Sequence, residues 1–274
     1  MLKEMNVKRV LTTIIGGPLV VACLILANKY IIDVIMTIVA LISMYEYIKC
    51  CSNKDVKVVK WISYLAMIPI AFTHFMPLDL LPTIACITLP LIMLILFMCV
   101  IFTSMRITFQ DIAFTLFGIV YIFIANFFFA LVYGIEEYGK IFIFLVILSA
   151  WCTDIFAFIV GMRIGKHKIT QVSPKKSLEG CIGGTVAAII CCVVYAYCIN
   201  TNMNMNFDLV VIAKLAFLFS IVGQIGDLAA SCIKRYFEVK DYSNLFPGHG
   251  GMLDRIDSLM FIAPLAFILL KVLM

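Results

Sequence analysis

The strongest constraint on this chain is a succession of long apolar runs, separated by short segments in which most of its charge collects. A bilayer core about 30 Å thick is crossed by roughly 20 helical residues, and a helix satisfies its own backbone polar groups where no water can. Nine runs approach that length: approximately 10 to 27, 31 to 48, 61 to 76, 81 to 103, 112 to 133, 141 to 161, 181 to 200, 208 to 230 and 256 to 273. The third is short and carries Pro69, so a kink or tilt is expected there. Only 14% of the residues are charged, against about a quarter in soluble globular chains, and the mean hydropathy is +1.11. The expected fold class is an all-α integral membrane protein of about nine transmembrane helices, forming a single polytopic membrane domain over 1–274.

Basic residues near helix ends are retained on the cytoplasmic side. With the N-terminus inside, the inner segments hold Lys3, Lys8 and Arg9, then Lys49, Lys54, Lys57 and Lys60, then Arg106. They also hold Arg163, Lys166, Lys168, Lys175 and Lys176, and finally Lys234, Arg235, Lys240 and Arg255. That is 17 of the 21 basic residues, so the N-terminus is expected in the cytoplasm and the C-terminus outside. The first run is long and no small-residue cleavage motif follows it, which favours a retained helix over a cleaved signal. The 11 cysteines are scattered, without a C-x-x-C pair, and read as small apolar packing residues; neither a disulfide nor a zinc site is expected. The net charge of +5 reports topology and attraction to anionic membrane lipids, with no nucleic-acid partner implied. Oligomeric state, a homodimer included, is left open.

Function is sought where polarity interrupts the apolar background, because a carboxylate at membrane depth is costly unless paired, hydrated or bound to a cation. Asp154 lies within WCTDIFAFIVG, Asp227 closes the eighth run within GQIGDLAAS, and Asp254 and Asp257 open the ninth. Three residues apart, the last two share a helical face. A lone carboxylate of this kind can equally be a cap or an interfacial group; several on one inner face are harder to read that way.

Two inner segments are unusually rich in charge. In KHKITQVSPKKSLEGCIGG (166–184), Ser173 followed by Pro174 reads as a helix N-cap and first helical position, setting Lys175 and Lys176 at a helix start suited to phosphate. In SCIKRYFEVKDYSNLFPGHGGMLDRID (231–257), four basic and four acidic residues surround PGHGG, whose glycines let backbone approach a ligand. Carboxylates for a hard cation beside bases for phosphates suggest a metal–nucleotide or metal–pyrophosphate site, and Mg²⁺ suits one or two carboxylates plus water and phosphate oxygens.

The 231–257 segment closely resembles the signature of the phosphatidate cytidylyltransferases, or CDP-diacylglycerol synthases. The resemblance is carried without a gap by Ser231, Lys234, Arg235, Lys240, Asp241, Ser243, Phe246, Pro247, His249, Gly250, Gly251, Asp254, Arg255 and Asp257. WCTDIFAFIVG and SPKKSLEGCIGG also look like the family's patterns, placing the catalytic region at 151–257; the first half shares its hydropathy and a Tyr45–Glu46 pair. The resemblance implies that CTP and phosphatidate react to give CDP-diacylglycerol and pyrophosphate, at the cytoplasmic face of the inner membrane. It implies Mg²⁺ on Asp227 and Asp254, with a second cation left open. Ser173, Lys175, Lys176, Ser231, Lys234, Arg235, Lys240, Asp241, Gly250, Gly251 and Arg255 are its implied substrate-binding residues, Lys175 also acting in catalysis. For His249, positioning a phosphate, carrying a proton and a structural hydrogen bond all stand. Asp154 either completes the acidic group with Asp257 or pairs with a basic neighbour.

Two other classes of membrane protein place charge within or beside apolar helices. A CDP-alcohol phosphotransferase would also collect carboxylates, but its D-G-x2-A-R…G-x3-D-x3-D pattern is missing from this chain. A transporter would use intramembrane charge along a pathway, often within two related halves, and no internal repeat is seen.

Overall fold

The computed structural model describes residues 16–246, 248 and 250–273, and the part of the first run before residue 16 lies outside them. The described residues form helices joined by turns and loops, with two isolated backbone bridges and no strand. The helices are α1 (Gly16–Leu26), α2 (Lys29–Cys51), α3 (Lys60–Leu65), α4 (Leu81–Phe102), α5 (Phe109–Tyr133), α6 (Gly139–Ile164), α7 (Leu178–Met203), α8 (Leu209–Tyr236), α9 (Leu253–Ile256) and α10 (Leu259–Leu273). Among the described residues, six are long and apolar enough to cross a membrane: α2, α4, α5, α6, α7 and α8. Apolar α1 and α10 are shorter.

The third run is not one helix. It divides into α3 and a 3₁₀ segment over Ile68–Phe75, with Phe72 off helical geometry. Pro69 has no N–H for a helical ladder, so the break falls where the sequence places a kink. The segment is held to α2 instead: Asp33 accepts hydrogen bonds from His74 Nδ1 at 2.7 Å and from the His74 amide at 3.1 Å.

The chain forms two compact units. The first comprises residues 1–134 and 236–255, the second residues 135–235 and 256–274. In the first, α2 is capped by Asn28, whose side chain accepts from the Ile31 amide. Thr108 and Asp111 form a reciprocal capping box on α5. Asp111 and Thr115 also accept the amides of Lys57 and Val59, sewing the α2–α3 connection onto α5. Farther along, Tyr47 donates its hydroxyl to the Phe114 carbonyl.

In the second unit α6 and α7 pack closely over small residues. A side chain at Gly184 would lie 2.5 Å from the Thr153 carbonyl, and one at Gly180 would lie 2.6 Å from that of Ala157. Lipid tails are as apolar as leucine, so helix association of this kind rests on close van der Waals contact and polar bonds. Polar bonds are supplied one layer away, where the Thr153, Thr185, Ser220 and Gln224 side chains join α6, α7 and α8.

Candidate active site

The second unit holds a charged cluster on α6, α8 and the segments before α7 and α10. Asp227 lies well inside α8, which continues to Tyr236 instead of closing near residue 230. Its Oδ2 accepts a 2.8 Å hydrogen bond from Lys176 Nζ, which also donates to the Gln224 carbonyl at 3.1 Å. The Lys176 side chain is 13% exposed and that of Asp227 31%, so the pair is shielded without being sealed. A charge-assisted bond in such a place is stronger than a surface ion pair. Asp154, on the exposed side of α6, accepts from Ser258 Oγ at 3.4 Å. Asp257 is buried in the turn between α9 and α10, its Oδ1 accepting from the Ser258 amide. Burial first, then the charges of Asp227 and Asp154, push its carboxyl up to about 7 against the opposing pull of Lys234 and the Ser258 amide.

Two helix-start expectations are corrected here. Ser173 is not the N-cap of α7: Ser177 is, its side chain accepting from the Gly180 amide. Ser173 instead closes a turn through its carbonyl, bonded to the Lys176 amide, and the two lysines precede the helix. Lys175 is exposed in that turn, whereas Lys176 reaches α8. Nor do Asp254 and Asp257 share a continuous helical face, since α9 is a single turn and α10 begins only at Leu259.

The first unit holds the glycine-rich turn. Asp254 is buried, and its Oδ2 accepts the amides of Tyr242 and Gly251, both at 2.9 Å. Gly250 has φ +85°, and a Cβ there would lie 2.8 Å from Asp254 Oδ2. A Cβ on Gly251 would meet Glu46 Oε2 at 2.5 Å. Both glycines thus admit carboxylates of the protein itself, where the sequence suggests room for a ligand. Pro247 and His249 lie outside the described residues.

The remaining predicted residues are distributed as follows. Ser231 and Lys234 are half-buried on α8, Arg235 is exposed at its end, Lys240 and Asp241 are exposed after it, and Arg255 is exposed on α9. Sequence reasoning passed over Gln224, whose carbonyl orients Lys176 and whose amide donates to Thr185 and Ser220. It also gave no role to Glu46. The available signal for both was a polar residue within an apolar run. Beside Gln224, an apolar groove of about 440 Å³ runs between α7 and α8, lined by Ile182, Val186, Ile189, Phe217 and Ile221.

Among the described residues no group of three or more His, Cys, Asp or Glu is assembled as a metal cluster. A cation of the Mg²⁺ kind, held by one or two protein oxygens with water and phosphate filling its shell, requires no such cluster.

Fold and site together define a polytopic helical membrane protein with a charged cluster, Lys176 and Asp227 paired within it, among its membrane-length helices. The chain belongs to the cytidylyltransferase family, whose model matches residues 7–273. It is 35% identical over 266 residues to a phosphatidate cytidylyltransferase of Staphylococcus aureus (strain COL), covering 96% of this chain and 98% of that protein. A Staphylococcus haemolyticus protein of the same name is 42% identical over 166 residues, 60% of this chain and 61% of its own length. One from Bacillus subtilis is 34% identical over 164 residues, 60% of each.

Proposed function

We propose that this chain is a phosphatidate cytidylyltransferase, transferring CMP from CTP to phosphatidate to give CDP-diacylglycerol and pyrophosphate. Family membership over nearly the whole chain supports the reaction, and the Lys176–Asp227 pair is the structural observation that carries it to particular residues. A phosphate oxygen of the lipid attacks the α-phosphorus of CTP, a P–O bond forms, and the bond to the bridging oxygen of pyrophosphate breaks. Both reactants are anions, so catalysis is chiefly positioning and charge stabilisation.

In this reading Lys175, Lys176, Lys234, Arg235 and Arg255 hold the triphosphate and the lipid phosphate, with Ser173, Ser231, Lys240 and Asp241 completing the substrate contacts, while Gly250 and Gly251 admit Asp254 and Glu46 instead of substrate. Lys176 is oriented for this by Asp227 and the Gln224 carbonyl. Asp227 and Asp254 would hold Mg²⁺, with Asp154 and Asp257 available to a second cation. Bound there, the metal supplies neutralising charge to phosphate oxygens. The groove beside Gln224 suits an acyl chain of the lipid.

We read the chain as one membrane domain of nine spans; for that number the basic-residue bias supports a cytoplasmic N-terminus and an outer C-terminus, with the catalytic region, 151–257, facing the cytoplasm at the inner membrane. A complementation experiment tests the function. In a bacterium depleted of its own phosphatidate cytidylyltransferase, expression of this chain should restore growth and CDP-diacylglycerol. Expressed, membrane-inserted protein that restores neither would refute it.

A further inference from the structure

Glu46 sits near the C-terminal end of α2, an apolar membrane-length helix, and is 1% exposed. A carboxylate so buried is costly unless donors meet it. Three do, all from the charged turn far along the chain. Oε1 accepts from Ser243 Oγ at 2.6 Å and from the Met252 amide at 2.9 Å, and Oε2 accepts from the Leu253 amide at 2.8 Å. The preceding amide, that of Gly251, goes to Asp254 Oδ2. Three successive amides therefore point at two carboxylates, one from within the turn and one from α2. The approach is close enough that residue 251 can carry no side chain without displacing Glu46.

We infer that Glu46 is a positioning residue for the reaction, holding Ser243 and the backbone of residues 251–253 so that the Asp254 carboxylate and, next to it, Arg255 are presented. This rests on the proposed cytidylyltransferase reading. A glutamate contributing only to helix packing would need none of these donors, and an apolar side chain would serve better in a membrane helix. Asp254 is oriented by the amides of Tyr242 and Gly251, which lie in the backbone that Glu46 fixes on both sides through Ser243 and Met252. Loosening Glu46 thus turns the Asp254 carboxylate without removing it.

Glu46→Gln is the discriminating variant. It keeps size and one acceptor, but sets an amide donor against a donor of the turn. Hydrogen exchange of the purified full chain should accelerate in the peptide covering 242–254, by about tenfold to a hundredfold for one lost charge-assisted bond. Peptides of α5 should not change. In parallel, kcat should fall by a similar factor with the KM for CTP little altered, and Ser243→Ala should act in the same direction more weakly. Adding Ser243→Ala to Glu46→Gln should then lower kcat less than it does alone, because the two act as one unit. Unchanged exchange in 242–254, or accelerated exchange with kcat intact, would overturn the inference. Should Glu46→Gln prove unstable, Ser243→Ala carries the same two measurements. Exchange does not depend on turnover, so an inactive wild-type protein with a loosened variant turn counts against the reaction and for the placement.

Discussion

Lys176 Nζ stands 2.8 Å from Asp227 Oδ2, although the two residues are 51 positions apart. The bond ties the turn before α7 to the middle of α8 and divides two adjacent lysines by role. Lys176→Met keeps the apolar stem and removes the charge, and should lower kcat/KM for CTP by about tenfold to a hundredfold, as expected for a lost bond to a charged group. Lys175→Met, at an exposed position, should cost less. Steady-state kinetics on both variants measures the difference, and equal losses would contradict the division.

Asp227→Asn and Asp254→Asn keep size and most packing while removing one formal charge each. If these carboxylates hold Mg²⁺, each variant should fold and insert but lose activity by roughly a hundredfold or more, a loss of several kcal/mol in charge stabilisation. Asp254→Cys offers a thiolate, which Mg²⁺ disfavours, so its Mg²⁺-supported activity should collapse. Near-normal turnover by folded Asn variants, or full wild-type activity after exhaustive chelation, would remove the metal assignment.

Much of this was legible in the sequence because single-residue chemistry announces itself against lipid. The apolar runs foretell α2, α4, α5, α6, α7 and α8, and Pro69 foretells the break between α3 and the 3₁₀ segment. Local choices among similar signals were less legible. Ser173-Pro174 and Ser177 both look like helix starts, and only the hydrogen bond from the Gly180 amide selects Ser177. Long-range pairing was not legible at all. Glu46 and Ser243 are 197 positions apart, and no periodicity connects them. PGHGG invites a ligand when read as a string, yet Gly250 lies against Asp254 and Gly251 against Glu46.

Asp257 provides a pH test with a definite sign. Its folded-state value near 7 lies above the unfolded carboxyl value of about 3.9, so its stabilising contribution is fully present below pH ~4 and is lost as pH rises through 7. Asp257→Asn retains an acceptor for the Ser258 amide and removes the penalty. In chelator-containing detergent, its thermal midpoint should exceed that of the wild type at pH 8 and converge with it near pH 4. A variant less stable at pH 8, or a gap independent of pH, would contradict this.

The inward placement of the charged segments is tested by chemistry at two positions. In a cysteine-free variant, Ser173→Cys and Asn244→Cys should react with membrane-permeant thiol reagents and resist impermeant ones in sealed cells. Labelling of either from outside would reverse the topology.

The most direct test follows the α-phosphorus. Purified protein in mixed micelles of detergent and phosphatidate, given Mg²⁺ and CTP labelled at the α-phosphate, should move the label into an organic-soluble CDP-diacylglycerol, with one pyrophosphate released per lipid formed. Label that stays in the aqueous phase with folded wild-type protein, or transfer that continues when phosphatidate is left out, would contradict the assignment of this chain to that reaction.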